Sequence, residues 1–365
     1  PASGPAPAPS AAASAEPALS LPASAAAAAG SAAASGAYNP TPLSPPVNIK
    51  IGGSLLVGEA GVFAAMDKGY FKQEGIEAEY VQAGSTADML AQVVTNGLQF
   101  ASVGQDPSLF NVASRDVPVK IIGYNSIISN HDTAAGFVVR KDLIDSGRYK
   151  EATDFKGFTV AIPGNTGSQG DVFLEKFAAQ GGWTLRDVKE TSIVFPQMVT
   201  ALGNKAVDAG FSVQPFVSIM ENQNIAKMVA TAGELFPGLP ADVFVVSPTF
   251  ANEQPDATVR VLAAFIRGQR DYWHAFVKKD VPPDEMYRII ANHTPFKNPS
   301  QIAPSTTSNV DPNGEMDPTN IQYEADAFLR YGTLKQKIEA STVIDQELAN
   351  RAVARIGRIN EPRGF

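Results

Sequence analysis

The 365-residue chain contains no cysteine. That absence excludes disulfides, thiolate metal ligands and cysteine nucleophiles at once. Histidine is almost as scarce: His131, His274 and His293 are the full set, and their spacing offers no metal-ligand cluster. No run of 18 apolar residues occurs, so no stretch is long and apolar enough to cross a membrane as a helix. Positive charge is in deficit, with 29 Lys and Arg against 37 Asp and Glu. The net charge of −8 argues against nucleic acid and anionic membrane surfaces as partners. What remains is ordinary for a globular chain: 44% hydrophobic and 18% charged residues, at a length that accommodates two domains.

Residues 1–46 are Ala, Pro, Ser or Gly at 39 of 46 positions and carry one charge, Glu16. Such a stretch has too little apolar surface to order itself and reads as a disordered tether. The chain starts at Pro1, with no Met and no basic stretch, as a processed or truncated chain would. A lipidated cysteine upstream would then hold the protein at the outer face of a membrane.

The remainder repeats one unit. An apolar run ends in a polar loop, and the loop opens a helix. At 98–103 the run leads into Gly104-Gln105-Asp106-Pro107, where Asp106 suits the N-cap and Pro107 the first helical position. Similar units occupy 51–63, 81–89, 160–173, 193–202 and 209–219. Ser85 with Asp88 forms a loose capping box, and Gly181-Gly182 stops a helix. Further strands are expected at 119–124, 135–140, 227–230 and 242–247, and a long helix at 256–278. Residues 125–133 read as a polar loop. The pattern is α/β, with polar loops gathered where strands give way to helix N-termini, the place where open sheets bind ligands.

Met66-Asp67-Lys68-Gly69-Tyr70-Phe71-Lys72-Gln73-Glu74-Gly75-Ile76 resembles a turn of the ABC-transporter substrate-binding proteins of the nitrate/sulfonate/taurine and thiamin-pyrimidine-precursor group. Ala83-Gly84-Ser85-Thr86, Asn96-Gly97-Leu98-Gln99-Phe100-Ala101, Asp154-Phe155-Lys156-Gly157 and Ala201-Leu202-Gly203-Asn204 continue that pattern in the same order. The resemblance spans about 49–288. It implies a two-lobed periplasmic-binding-protein-like fold of type 2, each lobe a mostly parallel sheet flanked by helices, with the ligand cleft between lobes. One lobe would comprise 47–136 and 240–335, the other 137–239, and 336–365 would be a C-terminal helical extension. Hinges would lie near 136–138 and 239–243. The resemblance further implies a monomeric, extracytoplasmic binding protein with an ABC permease as partner, no cofactor and no catalysis. An enzymatic relative, the pyrimidine-precursor synthases, depends on a Cys-rich motif that this chain lacks.

Candidate ligand contacts are the loop-tip residues Ser54, Leu55, Ser85, Thr86, Gln105 and Asp106 in the first part of the chain. Tyr124, Asn125, Asn165, Thr166, Gln169, Gln197, Gln214 and Phe216 complete the set. Amides and hydroxyls dominate, and Arg and Lys are nearly missing. Gly164-Asn165-Thr166-Gly167-Ser168-Gln169-Gly170 lacks the Lys-Ser/Thr ending of a phosphate loop. Oxoanions are usually held by Arg, although helix N-termini can substitute. The set therefore fits a small neutral aromatic heterocycle, with riboflavin as first candidate and a thiamin-precursor pyrimidine second. A sulfonate, nitrate or taurine-type anion is the alternative. Phe110, Tyr124, Phe195 and Phe216 are candidates for stacking. Asp106 can cap its helix and accept from a ligand N–H at the same time.

Overall fold

The computed structural model describes residues 38–114, 119–164 and 166–361. Most of the expected tether, 1–37, and the candidate Asn165 lie outside them. Residues 38–46 do not continue a tether. The Tyr38 hydroxyl donates to Glu74, the Leu43 amide donates to the Glu74 carbonyl at 3.1 Å, and Arg260 donates to the Thr41 carbonyl at 2.8 Å. Tyr38 and Leu43 are the first large side chains after the Ala-rich stretch, and they supply the contacts that stretch lacks.

Ten strands are present among the described residues: β1 (Val47–Gly53), β2 (Ile76–Gln82), β3 (Phe100–Gly104), β4 (Lys120–Ile127), β5 (Ala135–Arg140), β6 (Thr159–Ile162), β7 (Lys189–Ser192), β8 (Ala209–Val213), β9 (Ala226–Thr231) and β10 (Pro240–Val246). They form two five-stranded sheets, ordered β2-β1-β3-β10-β4 and β7-β6-β8-β5-β9. The two orders match position for position. In each, the second strand from one end is antiparallel: β10 between β3 and β4, β5 between β8 and β9. The parallel pairs β1–β2, β1–β3, β6–β7 and β6–β8 complete them. This is the expected α/β architecture of two sheets flanked by helices, each sheet mixed because one strand runs against the other four.

Buried apolar faces explain the placement. On the first sheet Phe100 and Phe244 stack at 5.5 Å and Phe244 meets Phe265 at 4.7 Å, so helix Pro255–Tyr272 covers that face. Gly268 of this helix lies so close to helix Ala60–Asp67 that a Cβ would sit 1.9 Å from the Gly61 carbonyl oxygen. The second sheet packs its own aromatic set, with Phe137 on Phe177 at 5.2 Å and Phe155 on Trp183 at 5.5 Å. Helix Gln346–Ile356 belongs with the first sheet: Ile344 bridges to Ile121 of β4, and the Asp345 amide donates to the Ile121 carbonyl at 2.8 Å.

Several expected boundaries move. Asn125, Ser126 and Ile127 are the buried end of β4 rather than loop. Strand 135–140 sits wholly in the second sheet, so the chain passes between sheets at 128–134 and not at 136–138. Gly136 is unsuited to a hinge: a Cβ there would stand 2.2 Å from the Ala230 carbonyl of the paired strand. The return passage at 236–239 precedes β10. The long helix ends at Tyr272 and continues as a π-helical turn, Trp273–Lys278.

Candidate functional site

A cleft of ≈ 780 Å³ opens where strand ends of both sheets meet. The first-sheet side begins at the end of β3. Asp106 has extended backbone and caps helix Pro107–Ala113, its Oδ1 accepting the Ser108 amide at 2.8 Å and the Ser108 hydroxyl. Gln105 is buried, and its Nε2 donates to the Pro240 carbonyl, which leaves Oε1 without a partner. Ser85 accepts the Asp88 amide at 3.1 Å and starts helix Thr86–Val94, while the Thr86 hydroxyl accepts the Gly104 amide at 3.2 Å.

Leu56, Val57 and Gly58 form the next wall. Beneath them lies Glu59, 3% exposed. Its carboxyl accepts the Ser54 amide at 2.8 Å, the Leu56 amide at 3.2 Å and the Tyr80 hydroxyl at 2.6 Å. Burial pushes Glu59 up to about 7 against the pull of those donors. Ser54 and Leu55 hold this turn through their backbone and do not line the cleft.

Asn125 and Ser126 line the cleft from β4, and Asp242 from β10. The register places Asp242 opposite Gly104 on one side and Ser126 on the other. Asn125 is 1% exposed; its carbonyl takes the Gln269 side chain at 2.9 Å, yet neither atom of its own amide has a partner. No donor or cation reaches the Asp242 carboxyl among the described residues, and burial pushes it up to about 6.

The opposite side is built by loop 163–170 and helix Gln169–Gly181. Asp171 folds back on this loop, its Oδ2 accepting the Gly167 amide at 2.6 Å and the Ser168 amide at 2.9 Å. Thr166 and Gln169 face the cleft, and Gln169 also donates to the buried Glu324 at 2.9 Å. Gln214 lines it while accepting the Ser218 amide at 3.1 Å. Phe173, Phe195 and Phe211 add aromatic surface, Phe173 and Phe211 stacking at 4.7 Å.

The cleft therefore gathers Ser85, Thr86, Gln105, Asp106, Asn125, Thr166, Gln169 and Gln214. It does not include Tyr124, whose hydroxyl donates to the Asp317 carbonyl at 2.8 Å. Gln197 is exposed elsewhere, and Phe216 stands behind Phe195 at 6.4 Å. Phe110 packs against Phe328 in the core. Sequence reasoning missed Asp242, Asp132, Tyr272 and the stretch containing Ser305, Ser308, Thr333 and Lys335. Asp132 accepts from Ser308 at 2.6 Å and Thr307 at 3.0 Å, so it ties that stretch to the crossing loop rather than pairing with exposed His131. Among the described residues, no group of three or more His, Cys, Asp or Glu is arranged to hold a metal ion.

Known proteins share this fold. The nitrate-binding protein NrtA of Synechocystis PCC 6803 superposes with a TM-score of 0.69 at 17% identity, over 85% of this chain and 89% of that one. The alkanesulfonate-binding protein SsuA of Xanthomonas axonopodis pv. citri gives 0.63 at 16% identity, over 82% and 98%. These likenesses show the fold of periplasmic binding proteins. A protein of Brucella abortus (strain 2308), whose given name is only that of a binding protein, is 23% identical over 282 residues, 75% of this chain and 82% of its own. The family model described as NMT1-like matches residues 43–280, well over half of the chain, and the chain belongs to that family.

Proposed function

We propose that this protein is the extracytoplasmic solute-binding component of an ABC importer. Its two sheets with their helices act as lobes, near 47–134 with 240–361 and near 135–239, that close over a small molecule and present it to a membrane permease. The hinges in this reading are 128–134 and 236–239. The observation that carries it is the cleft itself, ≈ 780 Å³ and polar at its tips, lying between two sheets of matching order in a chain of the NMT1-like family with a relative named as a binding protein. Binding and release suffice for this role, and no reaction is required.

For the ligand, the cleft supports a small nitrogen-bearing molecule, a heterocycle among them, over an oxoanion. No arginine lines it among the described residues. The helix N-termini from the β3 and β2 side carry acidic residues in or at their first turn, Asp106 on the Ser108 amide and Asp88 next to the Ser85 cap, and Asp171 takes the Gly167 and Ser168 amides ahead of its helix, so these points disfavour an anion. The second reading, a nitrate- or sulfonate-type anion, draws on what the neighbours NrtA and SsuA are named for and on Lys335 at the rim.

Thermal denaturation against riboflavin, thiamin-precursor pyrimidines, nitrate and alkanesulfonates tests the ligand class. A ligand at about 100 times its Kd adds roughly 2.7 kcal/mol to stability. Loss of uptake of that compound on deleting the protein tests the importer role. A compound that is bound but taken up normally without the protein overturns it.

A further inference from the structure

The polar corner where β3 and β4 end and β10 begins is rich in acceptors without donors. Gln105 commits its amide nitrogen to Pro240, so the end left over is the acceptor oxygen. Asp106 spends Oδ1 on Ser108, and among the described residues no donor reaches its Oδ2. Among the described residues no donor reaches Asp242, and Asn125, 1% exposed, lines the same wall with an unpaired amide. Gly58 keeps the corner open: a Cβ there would stand 3.1 Å from Asp242 Oδ2 and 3.4 Å from the Ser126 hydroxyl. Among the described residues, three carboxylates, Asp106, Asp132 and Asp242, line the cleft against one cation, Lys335, which is exposed at the rim. The aromatic faces of Phe173, Phe195 and Phe211 opposite also favour positive charge. A buried acceptor left without a donor costs more than a satisfied one returns, so the ligand has to bring the donors.

We propose that the cleft takes a small organic cation whose charged nitrogen donates to Asp242 and Asp106, with the Gln105 oxygen and the Asn125 amide completing its shell. This deepens the solute-binding reading and rests on it. An anion placed there would face two carboxylates with no compensating cation, while a neutral ligand would leave the Asp242 charge uncompensated.

Isothermal calorimetry and thermal denaturation of the whole protein decide it. The cations are agmatine, putrescine and thiamin, the neutral probes 1,4-butanediol and riboflavin, and the anions nitrate and ethanesulfonate. The expected result is a millimolar or tighter response to a cation that neutral and anionic probes do not match, and that Asp242→Asn weakens by roughly tenfold or more. Putrescine against 1,4-butanediol makes the charge comparison in the unaltered protein, so the test stands even if the variant fails to fold. An equal or larger response to a neutral or anionic probe, a cation response unchanged in D242N, or no response to any of the three cations overturns the proposal. A cation that binds as expected but is taken up normally without the protein overturns the importer role alone. An anion that binds and is taken up through the protein overturns the cation alone.

Discussion

Replacing Glu59 by Gln should change how the stability of this protein depends on pH. Glu59 is 3% exposed under the cleft wall, and burial moves its carboxyl from 4.5 to about 7. The native state therefore holds this proton more tightly than the unfolded chain does. The resulting stabilisation is complete below about 4.5 and disappears as pH rises through about 7. Between pH 5 and pH 8 the loss amounts to about 2.5 kcal/mol for this one group. The side-chain amide that replaces the carboxyl would not titrate. Its oxygen keeps an acceptor for the Ser54 amide and its NH₂ can donate to the Tyr80 oxygen, while the Leu56 amide, held by the other carboxyl oxygen, loses its acceptor at both pH values alike. Asp242 also has a raised pKa, but it titrates in both proteins and largely cancels in the difference. Urea denaturation of wild type and Glu59→Gln at the two pH values gives the number. The variant should gain on wild type by about 2–3 kcal/mol on going from pH 5 to pH 8. A gap that stays constant, or closes in the opposite direction, refutes the argument that burial outweighs the three donors.

Asp171→Ala removes the acceptor of the Gly167 and Ser168 amides and should cost about 2 kcal/mol, with faster hydrogen exchange at those two amides and weaker ligand binding. The same change should bring down Glu190, which burial and then Asp171 push up to about 8, as carboxyl titration by NMR would show. Gly268→Ala drives a methyl group onto the Gly61 carbonyl and should cost about 2–3 kcal/mol, measured as a lower denaturation midpoint. Glu74→Ala leaves Arg260 without its buried carboxylate, 3.3 Å away, and should cost about 3–5 kcal/mol. Arg355→Ala, at the more exposed partner, should cost markedly less by the same assay.

Local signals read well in this chain. The Asp106 and Ser85 caps, the Pro107 start and the Gly182 stop all act within a few residues, so spacing alone carries them. The polar loop tips around 85–86, 105–106 and 166–169 reached the cleft for the same reason. What failed depends on long-range pairing. Asn125 and Ser126 look like loop because they are polar, yet β10 inserts beside them and buries them as strand. Asp242 gives no signal in Pro240-Ala241-Asp242-Val243 until the antiparallel register sets it between Gly104 and Ser126. Tyr124 and Phe216 have the look of ligand-facing aromatics, whereas the first reaches the Asp317 carbonyl and the second packs behind Phe195. Ser305 to Lys335 carries no strand-loop-helix signature and enters the cleft only through contacts such as Ser308 with Asp132.

The insertion of β10 between β3 and β4 also orders events on the ribosome. Every strand of the second sheet lies within 135–231, one uninterrupted stretch. The first sheet has a gap between β3 and β4 until residues 240–246 have been made. At a synthesis rate of about 5–20 residues per second, β3 and β4 wait several seconds for the strand that joins them. During that time they expose unpaired edges rich in Ile, Val and Phe, the surfaces on which chains aggregate. The later-encoded sheet is thus free to close first, and the first-encoded one has to be kept apart from its neighbours until the chain returns.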